Sequence, residues 1–247
     1  MNLNLDLGLG DALKAIADVV LQYRDRIEVA RERKLDQVLD ALHLLDEIAG
    51  LHVKAVVHVC VPVLDRDDIV ATARLYQQLV DNPDFPIGYG LAKGVLTEAY
   101  GMKEFNKPSL HERIAEVLVQ VHRFQTAGFM LGYGSDVAAD SLRVAADLYT
   151  LAGHLETGAA EDHDARERLR SLRAEACDRF GRMFYWLAMQ ETGQHVNAPA
   201  PDASSSADVV RLGQEWARQW KRYVQSTLYG GHGLHYAIGQ LRMATLG

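Results

Sequence analysis

Apolar residues recur every three or four positions from Asp11 to Ala49, which is the spacing of one face of an α-helix. The recurring positions are Leu13, Ile16, Val20, Tyr23, Ile27, Ala30, Leu35, Val38, Leu42, Leu45 and Ala49. One five-residue step interrupts the series at "RERK", residues 31–34. A helix with a 3.6-residue period absorbs that step, and so does a kink. The pattern therefore predicts one long amphipathic helix that packs in a bundle.

Residues 51–64 contain the most apolar run of the chain, and they fit two kinds of element. Apolar residues alternate with His52, Lys54 and His58, which is typical of a half-buried strand. A buried helix accounts for the same residues almost as well. Since no second valine-rich alternating run is present to pair with a lone strand, the helix is favoured. The run has about a dozen residues, whereas a membrane-spanning helix needs roughly 20.

Helical signals continue along the rest of the chain. Ser109 and Glu112 have the spacing of a capping box, and an apolar stripe follows them as far as Phe124. The segment "TGQHVNAPAPDASSS", residues 192–206, is rich in proline, alanine and serine and predicts a linker. We therefore predict an all-α fold, an irregular multi-helix bundle with a long N-terminal helix and a linker-tethered C-terminal helix pair.

The same boundaries predict three parts of the chain. Residues 1–192 form the helical bundle body, residues 193–206 the linker rich in proline, alanine and serine, and residues 207–247 an amphipathic docking segment. Whether this segment docks on its own chain or on another chain is left open by the sequence.

Two glycine-tyrosine-glycine stretches raise the question of a phosphate-binding loop. They are "IGYGLAKG" at residues 87–94 and "LGYGSD" at residues 131–136. A dinucleotide or phosphate loop needs a strand before the glycines, and a Walker sequence needs Ser or Thr after its lysine. Neither context is present, so we interpret both stretches as glycine turns that end helices.

Composition limits the classes of function. Of the 247 residues, 48% are hydrophobic, which is sufficient for a core. The net charge of -7 opposes binding of the whole molecule to nucleic acid or to anionic membranes. Cys60 and Cys177 lack CxxC or Cys/His spacing, and the N-terminal residues lack the features of a signal peptide, so a cytoplasmic protein with free thiols is expected. Arginine outnumbers lysine 19 to 7, which favours a bacterial source.

The charge balance reverses in the docking segment, which carries +3 while the rest of the chain carries -10. On a helix, one face would carry the apolar and aromatic residues Leu212, Trp216, Trp220 and Tyr223. The opposite face would carry the cations Arg211, Arg218 and Arg222. We predict that the aromatic face binds a protein partner. The same pattern allows the aromatic face to be buried against the body of the chain.

Two alternatives use other side chains of this segment. Arg211, Arg218 and Arg222 would hold the phosphates of RNA or DNA, although the net charge disfavours nucleic acid. His232 and His235, in "YGGHGLHYAIG", would share a helix face and serve as metal ligands or as catalytic imidazoles. No local pattern supplies a third metal ligand.

The favoured function is a non-catalytic helical subunit of a larger protein assembly, acting through protein–protein contacts as a homo-oligomer or with a heteromeric partner. No nucleophile motif such as Gly-x-Ser-x-Gly is present, so catalytic residues are unknown and the balance is against an enzyme. No cofactor and no membrane partner are expected. The alternatives are a helical subunit that binds a nucleic-acid backbone through its basic C-terminal face, and a metal-binding protein or hydrolase using His232 and His235.

Overall fold

The computed structural model describes residues 8–29, 33–66, 81–129 and 206–246, with a few isolated positions between 75 and 171. Within these residues the regular structure is helical, and no strand occurs. The α-helices are α1 (Leu9–Val29), α2 (Lys34–Arg66), α3 (Asp84–Tyr100), α4 (Pro108–Phe129), α5 (Ser206–Tyr229) and α6 (Leu234–Leu246), with a 3-10 turn at Lys103–Phe105. The predicted all-α fold is confirmed, and residues 51–64 belong to a helix, as favoured.

The segment predicted as one long N-terminal helix is two antiparallel helices. The Gln37 side chain in α2 donates to the Ile27 carbonyl of α1 at 3.2 Å. Burial, and then the negative charge of Glu47 in α2, raise the pKa of Tyr23 in α1. Later residues of α2 thus contact earlier residues of α1. The prediction of a single helix is wrong. The apolar residues have the same spacing on both sides of "RERK", and this spacing does not show where the chain reverses its direction.

Two compact units divide the chain. The first contains Met1–Val56, Val80–Gly128 and Val224–Gly247, and the second contains Val57–Leu79 and Phe129–Tyr223. Most of the second unit lies outside the described residues. The predicted linker also lies outside them, apart from Ser206, so the division into body, linker and docking segment stays a prediction.

The core of the first unit is built from the apolar faces of five helices. These faces consist of Leu9, Ala12, Ile16, Val20, Tyr23 and Ile27 of α1, Leu42, Leu45 and Ile48 of α2, Phe85, Tyr89, Ala92 and Leu96 of α3, Ile114, Val117, Val121 and Phe124 of α4, and Leu234, Ile238 and Leu241 of α6. In α1, α3, α4 and α6 the buried positions follow the helical period, so each of these helices buries one face and leaves the other to solvent. In contrast, α2 is buried on all sides at residues 48–53.

An aromatic cluster around His52 lies inside this core. The His52 ring centroid is 4.2 Å from that of Phe85 and 5.4 Å from that of Phe124. The Tyr89 hydroxyl lies 3.3 Å from His52 Nδ1, so both polar side chains are buried with a hydrogen-bond partner. Burial raises the pKa of Tyr89 well above its usual range. This histidine therefore serves the packing of α2 against α3 and α4.

The first glycine-tyrosine-glycine stretch lies inside α3 and does not end a helix. Gly88 is buried where α3 meets α1 and α2. A Cβ atom there would overlap the Ile48 Cδ1 methyl and lie 2.9 Å from Val20 Cγ2. The interpretation as a glycine turn is wrong for residues 87–94, because here glycine permits close helix packing. Residues 131–136, the second stretch, lie outside the described residues.

Cys60 of α2 is buried, and its burial raises the pKa of the thiol to about 12. At pH 8 roughly one molecule in ten thousand then carries the reactive thiolate. In a Cys177→Ser background, we expect Cys60 to resist iodoacetamide in the folded protein and to react readily in urea. Mass spectrometry of the intact protein measures both rates. Fast alkylation without denaturant would show that the thiol is accessible in the native state.

Candidate functional site

A tight turn at residues 230–233 joins α5 to α6 and sets where the side chains of α6 lie. The Gly230 amide donates to the Ser226 carbonyl at 2.8 Å, and the Gly233 amide donates to the Gly230 carbonyl at 2.8 Å. A Cβ atom at Gly233 would lie 2.6 Å from the Leu228 carbonyl oxygen. Backbone atoms cannot move aside as a side chain can, so glycine is required for this close approach.

Four side chains of α2 and α6, His43, Asp46, His235 and Arg242, form a polar group that we call the Asp46 cluster. His235 Nδ1 donates to Asp46 Oδ1 at 2.6 Å, and Arg242 Nη1 donates to Asp46 Oδ2 at 3.4 Å. Arg242 Nη2 also donates to the Leu42 carbonyl at 3.2 Å and to His43 Nδ1 at 3.1 Å. These bonds attach α6 to α2 of the same chain.

The Asp46 cluster is exposed on one side only. The side chains of Asp46 and Arg242 are each 25% exposed, whereas that of His235 is 58% exposed. Tyr229 lies beside it, with its ring centroid 6.0 Å from that of His235. Burial, and then the negative charge of Asp46, raise the pKa of Tyr229. A carboxylate fixed by arginine therefore holds an imidazole that faces solvent.

The hydrogen bond fixes the tautomer of the neutral His235 ring. Because a carboxylate only accepts hydrogen bonds, the proton lies on Nδ1, and the neutral ring keeps its lone pair on Nε2. Conversely, His43 accepts from Arg242 through Nδ1, so its proton lies on Nε2. The two imidazoles of the cluster are thus held in opposite tautomers.

His232 lies in a different setting from His235. It belongs to the turn before α6, is exposed, and meets the Tyr236 ring edge-on with centroids 6.1 Å apart. The premise that His232 and His235 share a helix face is wrong, because the helix begins only at Leu234. Across the residues described, no three His, Cys, Asp or Glu side chains are grouped so as to hold a metal ion.

Of the predicted partner-binding residues, Trp220 is 1% exposed and Tyr223 is 6% exposed. Both are buried by this chain alone, so a partner would contact them only after part of the chain had moved away. The side chains of Leu212 and Trp216 lie outside the described residues. Binding of a partner by these four residues stays a prediction.

The predicted cationic face of α5 is exposed where it is described. Arg218 Nη1 lies 3.5 Å from Glu215 Oε2, and the two side chains are 46% and 51% exposed. Arg222 is exposed, and the side chain of Arg211 lies outside the described residues. The Glu215 carboxylate offsets part of the positive potential that a nucleic-acid phosphate would meet.

An open groove of about 720 Å³ lies between the end of α1 and the beginning of α2. It is lined by Asp25, Arg26, Val29, Arg33, Asp36, Leu39, Asp40 and His43. His43 thus belongs to both the groove and the Asp46 cluster. The sequence did not predict this groove, because its lining combines charged and apolar residues that are common on amphipathic helices. The one irregularity nearby was the five-residue step at "RERK".

Exposed apolar side chains surround the turn and continue along α6. Tyr229 is 58% exposed, Tyr236 45% and Met243 71%. Tyr236 and Met243 are seven residues apart and therefore lie on one face of the helix. We call Tyr229, His232, Tyr236 and Met243 the hairpin surface.

Comparisons with protein-family models, with curated proteins and with solved structures give no match to this chain. None of the helices within the described ranges is both long enough and apolar enough to cross a membrane.

Proposed function

We propose that this chain is a helical subunit of a larger protein assembly and acts through protein–protein contacts. The hairpin surface supports this proposal, because it places two tyrosines and a methionine in solvent on adjoining parts of α5 and α6. Tyrosine and methionine are enriched at protein interfaces relative to the remaining surface. Covering these side chains with a partner would remove apolar area from water and favour association.

Charge indicates the kind of partner. The segment 207–247 carries +3 and the rest of the chain carries -10, so the C-terminal hairpin favours an acidic partner surface. A second copy of this chain supplies acidic surface, and self-association is therefore the form of assembly that we propose first. A bacterial, cytoplasmic setting stays a prediction from composition.

The double variant Tyr236→Ala, Met243→Ala tests this proposal. We expect the wild-type protein to form a defined oligomer and the double variant to dissociate to a smaller species, because truncation removes the apolar contacts of the hairpin surface. Size exclusion coupled to light scattering measures both masses across a range of protein concentrations. Since both residues are exposed, their replacement is expected to change the free energy of unfolding by no more than about 0.5 kcal/mol.

Leu21→Ala provides the matched control, because Leu21 is 59% exposed but lies on α1, outside the hairpin surface. It should leave the mass of the oligomer unchanged. A wild-type protein that is monomeric at every concentration, or a double variant with unchanged mass, would refute self-association through this surface. Nucleic acid that co-elutes at low salt and is lost at high salt would favour the arginine alternative instead.

A further inference from the structure

We propose that His235 is a nucleophilic imidazole, positioned by Asp46, that accepts acyl groups from small neutral activated esters. This inference goes beyond the proposed function and rests on a different observation. The assembly depends on the apolar side chains of the hairpin surface, whereas this chemistry depends on the Asp46 cluster and uses only Tyr229 of that surface. Either proposal can fail without the other.

The geometry of the Asp46–His235 pair suits a nucleophile. The distance of 2.6 Å between Asp46 Oδ1 and His235 Nδ1 describes a short charge-assisted hydrogen bond. It fixes the ring orientation and leaves the lone pair on Nε2. When Nε2 forms a bond, positive charge develops on the ring, and the adjacent carboxylate stabilises that charge.

Asp46 is itself held in position. Arg242 donates to its second oxygen and is anchored in turn on the Leu42 carbonyl. All of these groups lie on α2 and α6, so the carboxylate does not depend on a mobile loop for its position. Arg242 also balances the charge of Asp46. Asp46 is therefore a positioning residue for His235.

Exposure distinguishes this pair from a contact that only joins two helices. A structural hydrogen bond between α2 and α6 does not require a solvent-facing ring, yet the His235 side chain is 58% exposed while Asp46 is 25% exposed. The nucleophile is thus accessible and its carboxylate is largely protected from water. Water that does not reach the carboxylate does not compete for its hydrogen bond.

The surroundings favour a neutral electrophile. Arg242 offsets the charge of Asp46, so the Asp46 cluster has no surplus positive charge to attract an anionic phosphoryl donor. The Tyr229 ring, 6.0 Å from the imidazole, offers an apolar flank for an aromatic leaving group. A neutral aromatic ester meets both conditions.

The reaction proceeds in two balanced steps. Nε2 attacks the ester carbonyl carbon, a nitrogen–carbon bond forms, and the carbon–oxygen bond to the leaving group breaks and releases an alkoxide or phenolate. The Nδ1 proton stays hydrogen-bonded to Asp46 throughout. Water then attacks the acyl carbon, the nitrogen–carbon bond breaks, and a carboxylic acid and the original neutral imidazole result. The proton that this step releases passes through solvent to the alkoxide or phenolate, which becomes an alcohol or a phenol.

His232 serves as an internal control for the first test, which uses wild-type protein at a concentration where light scattering shows the monomer, so that association covers neither histidine. Both histidines are exposed and three residues apart, but only His235 contacts a carboxylate among the bonds described. Diethyl pyrocarbonate carbethoxylates neutral imidazoles, and peptide mass spectrometry follows each site separately at pH 7. We expect His235 to react roughly tenfold faster than His232 or more. Equal rates, or a faster His232, would overturn the proposal.

Variants then test whether the reactivity of His235 depends on the Asp46–His235 pair. Asp46→Asn should lower the carbethoxylation rate of His235 roughly tenfold and leave that of His232 unchanged. His235→Gln should abolish hydrolysis of p-nitrophenyl acetate above the background, and His232→Gln should preserve it. Hydrolysis that survives in His235→Gln would refute the acyl-transfer chemistry. The double variant Tyr236→Ala, Met243→Ala should keep the reactivity of His235 even where the oligomer dissociates, which separates the two proposals.

Discussion

Trp220→Ala is expected to lower the free energy of unfolding by about 3 to 5 kcal/mol. Trp220 is 1% exposed and belongs to the largest fully buried side chains of the described residues. Truncation removes the indole from the core and leaves a cavity that the neighbouring helices fill only in part. Urea unfolding followed by circular dichroism measures the loss without relying on tryptophan fluorescence.

Arg222→Ala is the matched control for this experiment, because Arg222 lies two residues further along α5 and is exposed. It should change the free energy of unfolding by no more than about 0.5 kcal/mol. A Trp220→Ala protein as stable as the control would mean that the indole is not packed in the core in solution. Its assignment as an exposed partner-binding residue would then regain support.

Gly88→Ala is expected to destabilise the protein by about 1 to 3 kcal/mol, although alanine favours helices over glycine. The added methyl would overlap Ile48 Cδ1 and lie 2.9 Å from Val20 Cγ2. Both neighbours are themselves buried, at 0% and 3% exposure, so neither has free space to move into. Thermal and urea unfolding should both show the loss.

Gly90→Ala should have the opposite effect. Gly90 lies in the same helix, but it is exposed and no atom would lie within 4 Å of an added Cβ. Only the helical preference of alanine then acts, and it should raise the free energy of unfolding by about 0.5 to 1 kcal/mol. Equal effects at the two glycines would contradict the close packing of α3 against α1 and α2.

The fold class could be predicted from the sequence because the apolar residues of each helix recur with the helical period. The apolar positions of α1 and the stripe of α4 from Leu110 to Phe124 are buried largely as their spacing predicts. α4 begins at Pro108, one residue before the predicted capping box, since proline suits the first position of a helix. The spacing of apolar residues thus predicts which face of a helix is buried, but it places the ends of the helix only approximately.

The reversal of direction between α1 and α2, and the close packing of helices at Gly88, could not be predicted from the spacing of apolar residues. The sequence between Val29 and Lys34 contains neither glycine nor proline, so the apolar pattern of α1 continues into that of α2 without a sign that the helix ends. The role of Gly88 depends on Val20 and Ile48, which lie on two other helices. Spacing along one helix does not report which residues of another helix approach it.

Prediction of the candidate site from sequence was incomplete for the same reason. His235 was singled out by its glycine-rich neighbourhood, but it was paired with His232, its neighbour in sequence. Its contact is Asp46, 189 positions away. An isolated aspartate on an amphipathic helix resembles any solvated residue, and only the packing of α6 on α2 brings the two together.

The first unit combines segments that are synthesised early with a segment that is synthesised late. Its core combines residues before Val56 with residues after Val224, and Leu234, Ile238 and Leu241 of α6 are fully buried in it. The ribosome therefore synthesises α1 to α4 of this core well before α6 exists to complete it. Contacts that distant in sequence form slowly, since a long loop must close first. Until α6 is synthesised, the core side chains that it covers stay exposed to water, and this interval is when a chaperone would bind them.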